Sequence, residues 1–461
     1  MTSLAWRPWK RRARVETVEQ RRARITSQAC LLAVLLLGAI VVGLHVRDDG
    51  RLSPIDETQH IDYLVKAAHF QIPRLGELDG AVARQEAACR GIELAQLPLP
   101  SCADATTAPN QAFPELGIDT SGDDPPLYYV TTGVTAEAMK TVLHLGSVAT
   151  AARLLGFAWL AAGIVLFWLA MGELGVATAV RTGVSALMVT TPVMVHTSVT
   201  VTSDTVLFVG GAAALYAVLR WERRAMPGWA LLVIGALCGF AKVSCLLAVA
   251  AVSVYLLLRW LRTRRGEATS VRSGRELVTM ALAIAVSGLV VAVAWQLVVR
   301  ARTIPGVPTS GVSAIHYVDS LNLGRVVGQA AALLSPVQNP PLLAPLDDAS
   351  TVGFIWFLNA LLIAAALGGA AFFAAGSRRE SLAGTAAILM AASGSLYVVF
   401  VFVVSHQSVA IPGRYGLALL PFAAVALAAA LHKTSVRRAV ETFAGLAVVY
   451  TLIHLVTFHP V

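Results

Sequence analysis

The sequence predicts an all-α protein, a polytopic transmembrane bundle of about eleven spans with one large polar loop after the first, and three observations predict it. Hydrophobic residues make up 56% of the 461 residues and charged ones 14%, with a mean hydropathy of +0.69; a soluble domain carries about a quarter charged residues. The apolar residues arrive in blocks of about 18 to 25, enough to cross about 30 Å of hydrocarbon at about 1.5 Å per residue. Polar residues gather in one stretch, 47–140, where fifteen Asp and Glu face seven Lys and Arg.

Residues 1–26 form a basic tail, with Arg7, Lys10, Arg11, Arg12, Arg14, Arg21, Arg22 and Arg24 against Glu16 and Glu19. Residues 27–46 read as the first span, and no small-residue cleavage site follows them, so an uncleaved anchor with a cytoplasmic tail is expected. The acidic stretch 47–140 is then a large extracytoplasmic loop. Within it Ile61 to Phe70 and Gly80 to Leu97 have the periodicity of short amphipathic helices, and Pro98 to Pro126 is looser. Further spans are expected near 146–171, 176–197, 204–220, 228–241, 243–260 and 276–299, the six spans of residues 141–300. A second outer loop, 301–350, leads to residues 351–461, with spans near 351–375, 382–404, 413–431 and 437–457.

Threading these spans from a cytoplasmic N-terminus tests the arrangement. The inner loops become 171–175, 221–227, 262–275, 376–380 and 431–438, and all but the first are basic, as the positive-inside rule requires. The C-terminus falls outside, and the compartment is the cytoplasmic (inner) membrane. The orientation depends on a break at Phe240–Val243; without it every later loop changes side. The net charge of +9 is thereby explained by topology, and nucleic acid is not an expected partner. Cys30, Cys238 and Cys245 fall in apolar segments. Cys89 and Cys102 fall in the outer loop, where free thiols and a bridge both stay open.

Ionisable groups at membrane depth cost a few kcal/mol each, about 2.5–3.5 on insertion scales, so each is a candidate site. Topology gathers several on the outer face. Asp56 and Glu57 follow span 1, Arg153 lies about two turns into span 2, and Asp204 opens span 4. Lys242 stands at the turn between spans 5 and 6, and Arg414 at the start of span 10. Each has a plainer reading. Asp204 suits a helix N-cap, and Arg153 suits snorkelling to lipid phosphate. Lys242 suits an interfacial anchor, Arg414 beside Tyr415 an interfacial belt, and Asp56 and Glu57 solvated loop charges or a helix N-terminus. Their convergence favours a charged pocket. Carboxylates can take a proton from a hydroxyl, and Arg and Lys at the bilayer surface can hold the phosphate of a lipid.

These residues resemble the GT-C superfamily of polyprenyl-phosphate-sugar-dependent glycosyltransferases, such as protein mannosyltransferases and lipid A aminoarabinose transferases. Pro54-Ile55-Asp56-Glu57 resembles the acidic motif of the first outer loop, whose Asp is the proposed base. Asp124-Pro125-Pro126-Leu127-Tyr128-Tyr129 resembles a His-Pro-Pro-Leu-Tyr-Tyr segment that closes that loop, with Asp in place of His. Arg153-Leu154-Leu155-Gly156, Ser203-Asp204 and Gly239–Lys242 are similar to the openings of spans 2 and 4 and the region before span 6. Pro412-Gly413-Arg414-Tyr415 is similar to a Gly-Arg-Tyr segment of a neighbouring bacterial membrane-protein family, as is His60, where the mannosyltransferases carry an aromatic.

The resemblance implies an inverting transferase. Asp56 and Glu57 would be catalytic, with Lys242, Arg414 and Arg153 on the donor phosphate and His60, Asp204, Asp124, Tyr128 and Tyr415 in support. The implied partners are a polyprenyl-phosphate sugar and a cell-envelope glycan, lipid or protein acceptor. No metal ligand set is assigned. Asp56 and His60, four residues apart on one helical face, leave a shared divalent metal and a simple hydrogen bond both open. Two other classes compete: a transporter or flippase for lipid-linked sugars, and a non-catalytic membrane partner in envelope assembly. No internal repeat of the transporter kind is visible.

Overall fold

A computed structural model describes residues 17–48, 50–92, 98–306, 318–330, 332–334, 349–406, 411–431 and 434–457. The tail from Arg7 to Arg14 and most of the expected second outer loop lie outside the described residues. Those described are helical apart from turns and two isolated bridges. In chain order the helices are α1 (Val18–Asp48), α2 (Glu57–Ala68), α3 (Ala81–Arg90), α4 (Leu127–Leu143), α5 (Val148–Glu173), α6 (Thr178–Val189), α7 (Pro192–Val199) and α8 (Thr205–Glu222). There follow α9 (Gly228–Ala241), α10 (Leu246–Arg264), α11 (Gly274–Arg302), α12 (Leu323–Gly328), α13 (Ala349–Phe372), α14 (Arg378–Ser405), α15 (Leu420–Ala430) and α16 (Thr434–Thr457).

Seven of these helical segments are long and apolar enough to cross a membrane, and eight if the bent pair α6–α7 counts as one span. The chain is therefore a multi-pass, all-helical membrane protein. Two expected spans are shorter than a full crossing, α9 with 14 residues and α15 with 11. The expected span 176–197 is a pair of helices bent by 63°. The cause is local: Pro192 has no N–H to continue α6 and restricts Thr191 before it, so the chain restarts as α7 with Pro at its first turn. The break expected at Phe240–Val243 is present. α9 ends at Ala241, Lys242 is extended (φ −165°), and a single 3₁₀ turn leads into α10.

Small polar residues start several of the long helices. Ser147 accepts from the Thr150 amide at the head of α5, Ser273 and Glu276 form a capping box on α11, and Ser377 accepts from the Glu380 amide on α14. Each satisfies an end amide that hydrocarbon could not.

The segment between α1 and α5 folds into a subdomain with its own core. Ile61 and Leu64 of α2, Ala83 and Ala87 of α3, Phe113, and Tyr128 and Tyr129 of α4 are buried together. The sequence periodicity anticipates α2 and α3 but not α4, which begins at the Pro125-Pro126 pair. Gly133 lets α4 approach α2, since a Cβ there would meet the carbonyl of Leu64. Cys89 and Cys102 form a disulfide that closes the chain after α3. Arg90, beside it, reaches Ser147 and Thr150 at 2.7 Å and ties the subdomain to the head of α5.

This subdomain seats on one end of the bundle. Its core continues into Val148, Ala149 and Ala152 of α5, Val201, Val206 and Ala241. On another side Leu75 and Ile118 pack against Trp295 and Val299 near the end of α11. The segments entering this end are the α7–α8 connection, the α9–α10 break and the turn before α15. All three carry the charged residues singled out above.

Candidate functional site

The turn Pro54-Ile55-Asp56 delivers the chain into α2. Asp56 adopts a left-handed conformation (φ 55°, ψ 11°) and its side chain makes no cap bond. Asp is one of the few non-glycine residues that tolerate this region, and such positions collect at functional sites. Its carboxyl is half-buried. Burial raises its pKa; His60, Arg414 and Lys242 act in the opposite direction, and the net shift is upward. The acidic motif, Lys242 and Arg414 therefore share one electrostatic environment.

Asp204 links the two cations. Its Oδ1 lies 2.8 Å from the Lys242 ammonium and its Oδ2 2.7 Å from Arg414 Nε. Asp204 precedes α8 but caps no amide with its side chain, so the N-cap reading gives way to a bridging one. The two cations do not have equal capacity left. Lys242 is also 2.6 Å from Ser203 Oγ and 3.5 Å from Asp124 Oδ2, so three oxygens surround its ammonium. Arg414 meets Asp204 through Nε, and among the described residues its two terminal nitrogens have no partner. Tyr415 lies beneath both, with its ring 5.7 Å from Lys242 Nζ and 5.5 Å from the Arg414 guanidinium carbon. Its own ring packs on Tyr397.

A hydrogen-bond chain runs from this cluster back to α2. Asp124 Oδ2 accepts from Ser203 at 2.5 Å and from the Tyr129 hydroxyl at 2.8 Å. Tyr129 Oη is 2.7 Å from His60 Nδ1, and Ser121 Oγ is 3.0 Å from the same nitrogen. Tyr129 gives its one proton to Asp124, so its oxygen must accept from His60. The neutral imidazole then carries its proton on Nδ1 and its lone pair on Nε2. Burial lowers the His60 pKa and Lys242 lowers it further, which favours this neutral form. The hydrogen bonds of His60 go to Tyr129 and Ser121 rather than to Asp56. Tyr63 stacks on Tyr129 with centroids 3.8 Å apart and fixes its ring.

Two expected site residues have another task. Arg153, expected on the donor phosphate, is 1% exposed and pairs with Glu57, also 1% exposed. Its Nε and Nη2 each lie 2.8 Å from the Glu57 carboxylate. The carboxylate also accepts from the amides of Ser53 at 2.6 Å and Val201 at 2.8 Å. Burial would raise the Glu57 pKa, but Arg153 and these donors outweigh it and hold it below its ordinary value. Glu57 and Arg153 clamp α2 to α5 and to the α7–α8 connection, and the roles of second catalytic carboxylate and phosphate ligand are corrected accordingly. Gly156, one turn on, allows that close approach, because a Cβ there would strike the Ser198 carbonyl. Tyr128 points into the subdomain core, edge-on to Tyr129.

Sequence reasoning missed Asp123. Burial and the neighbouring Asp124 push its pKa up to about 7, and Lys242 and Asp56 both act on it. Its carbonyl accepts from the Trp295 indole at 2.8 Å, which anchors the segment to α11. The Asp123-Asp124 doublet was the available signal, and only its second member was read. Among the described residues no group of three His, Cys, Asp or Glu is arranged to hold a metal.

A separate carboxylate group lies deeper in the subdomain, where Asp62, Asp79 and Asp119 are buried. Lys66 pairs with Asp62 at 2.6 Å and Glu77 at 2.9 Å, while among the described residues neither Asp79 oxygen has a hydrogen-bond partner. Burial, with Asp62 nearby, pushes Asp79 up to about 7. A folded pKa above the unfolded one stabilises the fold at low pH, and that contribution is lost as pH rises through about 7. Asp79→Asn should therefore raise the melting temperature at pH 8 and leave it little changed at pH 4. Equal melting of variant and wild type at pH 8 would show that ionised Asp79 does not destabilise the fold and that its pKa is not raised.

The sequence matches no protein-family model and no curated protein.

Proposed function

We propose that the protein is a membrane glycosyltransferase that moves a sugar from a polyprenyl-phosphate donor to a cell-envelope acceptor at the outer face of the cytoplasmic membrane. The observation that carries this reading is the pairing of Lys242 and Arg414 through Asp204, at the end of the bundle where Asp56 leads into α2. Cations suited to a lipid phosphate thus share an end of the bundle with a carboxylate suited to a hydroxyl, whose pKa both of them lower. In the reaction Asp56 takes the acceptor's hydroxyl proton as that oxygen bonds to the sugar's anomeric carbon. The bond from that carbon to the phosphate oxygen breaks with inversion, and the polyprenyl phosphate leaves against Arg414 and Lys242. Arg414 supplies the fork, since among the described residues its terminal nitrogens make no hydrogen bond and a guanidinium can give two parallel bonds. Lys242 supplies charge. Asp124, Tyr129 and Ser203 hold the ammonium in place.

The topology belongs to the same proposal: eleven spans, a cytoplasmic N-terminus and an outer C-terminus. The basic short loops support it, and so does the Cys89–Cys102 disulfide, because such bonds persist in oxidising compartments. The second reading, a flippase for lipid-linked sugars, is favoured by the bent α6–α7 pair, since broken helices are common in transporters.

The test is donor binding by the purified full chain, with polyprenyl monophosphate as probe and native mass spectrometry as readout. Arg414→Gln should weaken binding roughly 10- to 100-fold, the loss of one charge-assisted contact. Unchanged binding would remove Arg414 from the donor site. A flippase would translocate intact donor without cleaving it.

A further inference from the structure

A charged concavity lies at the other end of the bundle. The 18 residues of α8 separate Asp204 from Glu222, about 27 Å at the helical rise. Past that end a cleft of ≈530 Å³ is lined by Arg223, Arg378, Arg379, Glu173, Phe372 and Phe373 among others. Three arginines face one carboxylate, and that carboxylate is already shared, since Glu173 binds Arg223 at 3.1 Å and Arg220 at 3.2 Å.

The arginines keep donors in reserve. Arg378 spends Nε on Glu222 at 2.8 Å, and Glu222 itself is held by Tyr255 at 2.6 Å and Arg259 at 3.0 Å. This buried network fixes the base of the Arg378 side chain. Arg379 spends one terminal nitrogen on the Leu174 carbonyl at 3.1 Å. Each guanidinium has five N–H groups, so among the described residues several remain available on both. Beside them Phe372 ends the apolar helix α13 with 88% of its surface exposed.

Convergent arginines with unused donors suit a phosphate, and an exposed aromatic at the end of a membrane helix suits an acyl chain. We infer that this cleft binds the headgroup of an anionic phospholipid, the phosphate on Arg223, Arg378 and Arg379 and the chains along Phe372 and α13. A lipid there would brace the ends of α5, α8 and α13 against the start of α14, at the face away from the transfer site.

The test titrates the purified full chain with dioctanoyl phosphatidylglycerol, dioctanoyl phosphatidylcholine and glycerol phosphate, read by native mass spectrometry. The expected result is binding of phosphatidylglycerol, roughly tenfold weaker in the Arg223→Gln/Arg379→Gln variant, the equivalent of one charge-assisted hydrogen bond. Arg264→Gln, an exposed arginine outside the cleft lining, should bind as wild type does. Arg379→Gln alone gives up one bond to a carbonyl and keeps the test available if the double variant unfolds. Equal binding of phosphatidylcholine, equal binding of glycerol phosphate without chains, or unchanged binding by the Arg379→Gln variants would each overturn the assignment.

Discussion

Replacing Asp56 with Asn is expected to lower sugar transfer by about 10²- to 10⁴-fold, the usual contribution of a positioned base, while the protein stays folded and inserted. The separation of the two effects follows from the local structure. Asp56 is half-buried and its side chain caps nothing in α2, so no cap is lost with its charge. Asn tolerates the left-handed conformation as Asp does, so the turn survives. The base must be ionised to act, and burial raises the Asp56 pKa against the pull of His60, Arg414 and Lys242. Transfer should therefore fall on the acid side at a higher pH than an ordinary carboxylate would give. Transfer from a radiolabelled polyprenyl-phosphate-sugar pool, measured beside the melting temperature of the same preparation, checks both halves. Full transfer by Asp56→Asn would end the assignment of the base.

Glu57→Ala should do the opposite, costing about 3–5 kcal/mol of stability, the range for breaking a buried ion pair from one side. The variant strands Arg153 at 1% exposure and deprives the Ser53 and Val201 amides of their acceptor. Removing both charges with apolar residues of similar size, Glu57→Leu with Arg153→Met, should recover much of the loss, because no unpaired charge stays buried. The pH dependence also has a definite sign. A folded pKa held below the unfolded one stabilises above the unfolded value, and the contribution is lost as pH falls through the folded value. Wild type should thus lose this stabilisation in acid, and the doubly apolar variant should not. Melting of Glu57→Ala within a degree or two of wild type would show that the clamp contributes little.

The neighbouring residues Asp56 and Glu57 show how far the sequence can be read. Composition and span periodicity reveal an all-helical membrane protein, and the positive-inside pattern anticipates the break that leaves Lys242 between α9 and α10. The same pattern brings Asp204, Lys242 and Arg414 to one end of the bundle, where the structure joins them. It cannot assign partners. Glu57 and Arg153 are 96 residues apart, and nothing local says that this arginine is consumed by a carboxylate rather than free for phosphate. The bent α6–α7 pair was foreshadowed only by Pro192 in an otherwise apolar run. α4 went unread because Pro125-Pro126 signals the end of a loop without saying how long the following helix is. The elevated pKa of Asp123 arises from burial against α11 and from Asp124, and burial of this kind exists only after folding.

We propose that Asp56, Lys242 and Arg414 form one donor site for a polyprenyl-phosphate sugar. A cryo-electron microscopy structure of the full chain with a non-hydrolysable polyprenyl-phosphonate sugar tests it most directly. Phosphonate density is expected on the terminal nitrogens of Arg414 and beside Lys242, with the sugar's anomeric carbon turned toward the side of the site where Asp56 stands. Density for the phosphonate away from both cations, or a sugar turned away from Asp56, would contradict it.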